Sequence, residues 1–181
     1  MTYICLTVKN YGTIFSTQSE KIRIQYVVEL IGVLGDFTME VKFYEEVEDK
    51  LLKFAVIISK SQGKWVFCKH KERDTYEVPG GHREGNETIL DTAKRELREE
   101  TGAIDFSIKK ICVYSVIGKT RVNESGEESY GMLYYADIEK FDIEIHSEIE
   151  RIVLLDELPT DWTYPLIQPL LIKEFQRRIL G

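Results

Sequence analysis

The sequence predicts an α/β protein of the α+β type, a sandwich of helices on a mixed sheet. Three observations carry this. Short stretches rich in β-branched and apolar residues recur along most of the chain, as in "LLKFAVIIS" from Leu51. One segment, Thr88 to Thr101, has the composition and the end signals of a helix. A second segment of helical spacing lies near the last residue. Many strands with one central and one terminal helix make a layered sandwich.

The elements follow in order. Two β-like stretches, Tyr3–Val8 and Ile22–Leu34, flank the polar segment "KNYGTIFSTQSEK". "LLKFAVIIS" reads as a buried strand, "KSQGK" as a turn centred on Gln62-Gly63, and "WVFCKH" as the hairpin partner. "TYEVPGG" is a short strand stopped by Pro79 and two glycines. Thr88 is the N-cap of the central helix, and Asp91 completes a capping pattern. Strong helix formers fill "DTAKRELREE", and Gly102 sits where a helix-ending glycine belongs. Phe106 to Gly118, "YGMLYYADI" and "ERIVLLD" read as further strands. Asp161 or Thr163 caps the last helix, with Pro165 in its first turn and Leu166, Leu170, Phe175 and Ile179 on its apolar face; Pro169 disturbs its start.

A chain of 181 residues favours one domain with room for an extension. Residues 1–38 differ from the rest. Their charges cancel, Lys9, Lys21 and Arg23 against Glu20, Glu29 and Asp36, so the acidic excess lies downstream. Met39 opens "MEVKFYEEVEDKLLKFAVIIS", an ordinary protein start. Residues 1–38 are thus either a hairpin packed on the domain or a segment upstream of a natural start at Met39. The net charge of −7 disfavours nonspecific binding to nucleic acid or to an anionic membrane. No run of about 18 apolar residues occurs, so no spanning helix is expected. "KIRIQYVVELIGVLG" is rejected as a signal peptide, because Glu29 interrupts it and no small-residue cleavage site follows. Cys5, Cys68 and Cys112 are odd in number and widely spaced, as expected of reduced thiols in a cytoplasmic protein.

The central helix concentrates acid. At about 100° per residue, Glu96, Glu99 and Glu100 span about 100° within little more than one turn. They border an apolar face of Ile89, Leu90, Ala93 and Leu97. Arg95 lies four residues from both Asp91 and Glu99 and can pair with either. The helix dipole disfavours acid at this end, and Glu96 and Glu100 form a repulsive i,i+4 pair. A cluster unfavourable on both counts calls for a compensating cation, and oxygen-only ligands suit Mg²⁺ or Mn²⁺. Gly80 and Gly81 let backbone atoms approach a phosphate or a metal, and His82 and Arg83 add positive charge.

"GGHREGNETILDTAKRELREETGA" resembles the Nudix hydrolase signature, G-x5-E-x7-R-E-U-x-E-E-x-G-U with U a bulky aliphatic. Gly81, Glu87, Arg95, Glu96, Leu97, Glu99, Glu100 and Gly102 occupy its positions; Ala103 replaces the last aliphatic, with Ile104 beside it. "EVPG" and "LLDELP" are also similar to the family. The resemblance covers about Leu51 to Leu180 and implies a Nudix domain over 39–181, with a mixed sheet between layers of helix. It implies that the Gly80 carbonyl and the carboxylates of Glu96, Glu99 and Glu100 bind Mg²⁺ or Mn²⁺, with Glu148 a further ligand. Glu127 and Glu128 are weaker alternatives to Glu148. It implies Glu96 as general base with Glu100 as runner-up, Arg95 as the group that holds a glutamate in place, and Glu87 as the stabiliser of the loop–helix unit.

The reaction implied is metal-dependent hydrolysis of a phosphoanhydride in a nucleotide. The absence of a proline about 15 residues after the motif disfavours ADP-ribose, and Tyr114 lies too near for the tyrosine of dinucleoside-polyphosphate hydrolases. "WVFCKHKERDTYEVPGGHREGNET" is similar to bacterial enzymes acting on nucleoside triphosphates, oxidised guanine nucleotides included, or on the 5′ end of RNA. The acidity and the lack of a basic-aromatic tract favour a small nucleotide, such as an oxidised purine dNTP cleaved to NMP and pyrophosphate. Lys69, Lys71, Arg73, His82 and Arg83 are candidate phosphate contacts. Trp65 and Tyr76 are candidate base-stacking rings, with core packing the stronger reading for both. An RNA 5′-end pyrophosphohydrolase and a nucleotide sensor without catalysis are the alternatives.

Overall fold

The computed structural model describes residues 4–9, 24–32, 38–119, 124–142 and 149–180, with side chains described from Met39 onward. The chain divides into two compact units, Met1–Lys53 with Cys112–Gly131, and Phe54–Ile111 with Met132–Gly181.

In the first unit, β1 (Ile4–Lys9), β2 (Ile24–Gly32) and β3 (Thr38–Tyr44) pair antiparallel in chain order. The end of a long strand, β8 (Ala103–Ile117), pairs antiparallel with β3, placing Val116 opposite Val41 and Tyr114 opposite Phe43. β3 runs through Thr38 and Met39, a strand that the reading of Met39 as a start did not anticipate. Val41, Phe43, Cys112, Val113 and Tyr114 are buried here. Gly131 makes room for the Tyr114 ring, whose hydroxyl and Cζ would lie within 2.6 Å of any Cβ. Tyr44 Oη and Ser115 Oγ each donate to Glu128 Oε1 at 2.7 Å. Burial opposes ionisation of Glu128, but the Tyr44, Ser115 and Tyr130 hydroxyls outweigh it and hold its carboxyl below the ordinary value.

In the second unit, the strand order is β8, β9 (Ser129–Phe141), β4 (Leu52–Ser61), β5 (Lys64–His70) and β10 (Ile149–Leu155). β6 (Tyr76–Glu77) adds to β5, and β7 (Gly80–His82) adds to β4. Gln62 and Gly63 both have positive φ, 51° and 81°, as a two-residue hairpin turn between β4 and β5 requires. A parallel bridge joins Tyr76 to Trp162.

Two helices cover this sheet, α1 (Ile89–Thr101) and α2 (Gln168–Leu180). Cys68 Sγ donates to the Glu100 carbonyl at the end of α1, whereas Trp65 meets Phe175 of α2 edge-on. Residues three apart on a strand point to opposite faces. The helices therefore lie on opposite faces of β5, and the unit is an α/β/α sandwich. Ile57, Ile58, Phe67, Leu97, Leu133, Leu171 and Ile172 are wholly buried within it.

Three sequence expectations are corrected. The last helix begins at Gln168, not near Pro165, because the turn before it closes on the Tyr164 carbonyl. Pro169 then stands in the first turn, where its missing N–H costs nothing. Leu90 and Ile179, expected on apolar faces, are 37% and 48% exposed. The strand after α1 starts at Ala103, directly beyond the Gly102 cap, rather than at Phe106. Cys68 and Cys112 are both buried.

Candidate active site

The site is built where β7 meets α1. β7 lies against β4, pairing Val56 with Gly80 and Ala55 with Gly81. A Cβ on Gly80 would stand 2.5 Å from the Ala55 carbonyl oxygen. A Cβ on Gly81 would fall on the Glu96 carboxylate itself. The two glycines thus let a strand pass beneath a side chain of the helix.

α1 starts where the sequence places it. Thr88 Oγ1 accepts from the Asp91 N–H at 3.2 Å, and Asp91 Oδ2 accepts from the Thr88 N–H at 3.3 Å. Gly102, in the left-handed region at φ 71°, ends the helix, its N–H donating to the Arg98 carbonyl at 2.8 Å. Replacing Thr88 by Ala removes the two bonds of its Oγ1, from the Asp91 N–H and to Asp91 Oδ2, and leaves the bond from the Thr88 N–H to Asp91. The expected cost is about 1 kcal/mol, read in a thermal melt as a fall of about 2–4 °C.

Arg95 is the hub. Its Nε donates to Glu87 Oε1 at 2.7 Å, and its Nη2 donates to Glu87 Oε2 at 3.1 Å and to the His82 carbonyl at 3.0 Å. Its Nη1 donates to Glu96 Oε1 at 2.8 Å and to Glu99 Oε2 at 3.2 Å. Of the two partners open to it by spacing, Arg95 takes Glu99, since Asp91 is held by Thr88. Glu87 is fixed further by the Thr92 hydroxyl at 2.9 Å and the Glu84 N–H at 3.2 Å. The Arg95 guanidinium holds the Glu87 carboxyl down at about 2, against an ordinary value of 4.5. A lowered carboxyl stabilises the fold fully above its unfolded value and loses that contribution as pH falls through the folded one. A carbon-13 NMR titration should therefore find Glu87 still ionised at about pH 3, where free glutamates are protonated.

The three helix carboxylates have different surroundings. Glu96 does not border the buried face; it lies within it, between Thr92 and Ala93, with 12% of its side chain exposed. Burial raises its pKa, Arg95 opposes the rise, and the charges of Glu99 and Glu84 add to it. Glu99 is 55% exposed. Glu100 Oε2 accepts from the Gly80 N–H at 2.9 Å. Among the described residues, no three acidic, histidine or cysteine side chains already converge at metal-ligand spacing. Glu96 and Glu99 turn to Arg95, while Glu100 turns to the strand. The donor set, carboxylates and backbone oxygen without thiolate or imidazole, still fits a hard divalent cation.

The other candidates divide. His82 stands edge-on to Phe54 at 4.4 Å between ring centroids, and burial lowers its pKa. Arg83 Nε donates to the Glu87 carbonyl at 2.6 Å, which keeps it beside the loop. Lys69 is ion-paired with Glu150 and Asp74, and Arg73 with Glu77. Trp65 is buried against α2 and Tyr76 is half-buried. Glu148 lies outside the described residues, and Glu128 is occupied by the hydroxyls of its own unit. Sequence reasoning missed Thr92, Phe54 and the His82 carbonyl as parts of the site, because each acts through a contact that spacing alone does not announce.

Comparison with known proteins places these features in a family. The model of the NUDIX domain matches residues 49–172. A Bacillus subtilis protein, "Putative 8-oxo-dGTP diphosphatase YtkD", is 35% identical over 123 residues, covering 67% of this chain and 73% of its own. Among solved structures, a variant of the B. subtilis pyrophosphohydrolase BsRppH superimposes with a TM-score of 0.63 at 28% identity, covering 80% of this chain and 93% of that one. A NUDIX hydrolase from Nitrosomonas europaea shares the fold at a TM-score of 0.56 and 19% identity, covering 70% of this chain and 89% of its own. The helix of glutamates clamped to a glycine strand, and the domain around it, belong to the Nudix hydrolases, and the chain is a pyrophosphohydrolase of that family.

Proposed function

We propose that this enzyme hydrolyses a purine nucleoside triphosphate, oxidised guanine nucleotides included, to the monophosphate and pyrophosphate with Mg²⁺. The observation that carries the substrate class is the 35% identity to YtkD, whose name specifies 8-oxo-dGTP. The net charge of −7 supports a small nucleotide over a polymer.

We assign the general base to Glu96. Burial biases its carboxyl toward holding a proton in the metal-free enzyme, and a base works best when its pKa approaches the operating pH. Water gives its proton to the Glu96 carboxylate and its oxygen attacks phosphorus; the anhydride P–O bond breaks and pyrophosphate departs with the electron pair. Members of the family use divalent metal ions; such an ion, when bound, would supply positive charge to offset that of the anhydride oxygens and the leaving group. Glu96, Glu99, Glu100 and the Gly80 carbonyl are the groups that would hold it, with Glu148 as a further ligand. Arg95 and Glu87 keep the loop on the helix, and His82 and Arg83 lie beside it for phosphate contact. Lys69 and Arg73 would have to leave their carboxylates to reach a phosphate, which makes them weaker assignments.

The resemblance of "WVFCKHKERDTYEVPGGHREGNET" to bacterial enzymes acting on the 5′ end of RNA keeps a 5′-triphosphorylated RNA as the second reading. Pyrophosphate release from 8-oxo-dGTP, dGTP, GTP and that RNA, with and without Mg²⁺, separates the two. The highest kcat/KM on a purine dNTP supports the first reading; the highest value on RNA replaces it. No turnover, with nucleotide binding intact in Glu99→Gln, would leave a sensor. The domain bounds proposed are 39–181 with 1–38 as an added hairpin, and a Met1-derived peptide in mass spectrometry of the native protein excludes a start at Met39.

A further inference from the structure

The guanidinium of Arg95 offers five N–H groups, and all five have acceptors. They fall into two sets. The Nε and Nη2 edge makes three bonds to the loop, two to Glu87 and one to the His82 carbonyl. The Nη1 edge makes two bonds to the helix, one each to Glu96 and Glu99. The loop side is fixed independently, because Thr92 and the Glu84 N–H also hold Glu87. The helix side is not: Glu99 is half exposed, and each of these carboxylates has one bond to Nη1.

A carboxylate as enclosed as Glu96 is costly when ionised unless a cation stands beside it. Arg95 Nη1 is that cation here. We propose that this edge of Arg95 is a stand-in cation that bridges Glu96 and Glu99 in the metal-free enzyme, and that a divalent ion displaces it from them while the opposite edge stays on Glu87. The inference rests on the assignment of Glu96 and Glu99 as metal ligands. A divalent ion and Nη1 on the same carboxylate pair repel, so the two bind in competition. The exchange needs only side-chain rotations of Glu96 and Glu99, since Arg95 keeps three of its bonds. Such an arrangement keeps the helix from losing its acidic end between metal-binding events, at the cost of weaker metal affinity.

The sign of one effect separates this from a purely structural arginine. In Arg95→Gln the competing cation is gone, so Mn²⁺ should bind about tenfold more tightly by calorimetry, and Mn²⁺ should raise the melting temperature more than in the wild type. A structural arginine predicts the reverse, because losing it disorders the ligands. Equal or weaker Mn²⁺ binding in a variant with wild-type circular dichroism overturns the proposal. Should that variant not fold, nitrogen-15 NMR of the wild type decides. On Mg²⁺ saturation, the Arg95 Nη1 protons should move to free-solvent exchange while the Nε–H stays protected. Unchanged Nη1 protection under saturation overturns the proposal. Glu96→Gln and Glu99→Gln serve as controls: if both bind Mn²⁺ like the wild type, the ligand assignment has failed instead.

Discussion

Glu96→Gln is expected to lower kcat by about 10²–10⁴-fold while leaving the fold intact, the scale of a lost general base. The substitution is isosteric. Gln keeps an oxygen for Arg95 Nη1 and fills the same space over Gly81, so circular dichroism and the melting temperature should change little. The pH profile carries the sharper reading. A base must be ionised, so the acid limb of kcat/KM reports the Glu96 carboxyl as it stands with the divalent ion bound. That limb should vanish in the variant. Glu100→Gln is the comparison. Its carboxylate holds the Gly80 N–H, so it should disturb the strand–helix contact without removing the limb. A larger loss in Glu100→Gln, with the limb gone there and kept in Glu96→Gln, would move the base to Glu100.

Gly81→Ala is the second large effect, through geometry rather than chemistry. The added methyl occupies the place of the Glu96 carboxylate, so either β7 or the glutamate must move. A displacement of about 1 Å at a reacting group costs on the order of 10²-fold in rate. Gly85→Ala is the matched control. Gly85 has a left-handed backbone, φ 45°, but a Cβ added there would meet open space. It should cost about 1 kcal/mol of stability with activity near wild type, since a left-handed alanine is strained without touching the site. Equal rates in the two variants would mean that the position of Glu96 over Gly81 is unimportant.

The local parts of the site were legible in the sequence for a physical reason. Helix caps, glycine turns and i,i+4 spacing depend on neighbours within a few residues. The Thr88–Asp91 box, the Gly102 cap and the Arg95–Glu99 pair all stand where spacing put them. What depended on the third dimension was harder to read. The wheel set Glu96 at the edge of the apolar face, but the approach of β7 encloses it. Lys69 looked available for phosphate because its partner Glu150 lies on another strand, β10. The start of α2 was misplaced since prolines at 165 and 169 permit several starts, and the Tyr164 turn and the Gln168 contact with Val78 select among them. The strand Thr38–Tyr44 escaped notice because its partners lie in β2 and β8.

The placement of α1 and α2 on opposite faces of β5 makes the sheet a partition. Ile179, exposed on α2, is separated from the glutamates of α1 by one layer of β-structure and the side chains on either side of it. A fluorophore or surface tether attached there would report on or immobilise the enzyme from behind, leaving the side of α1 that carries Glu99 open to solution.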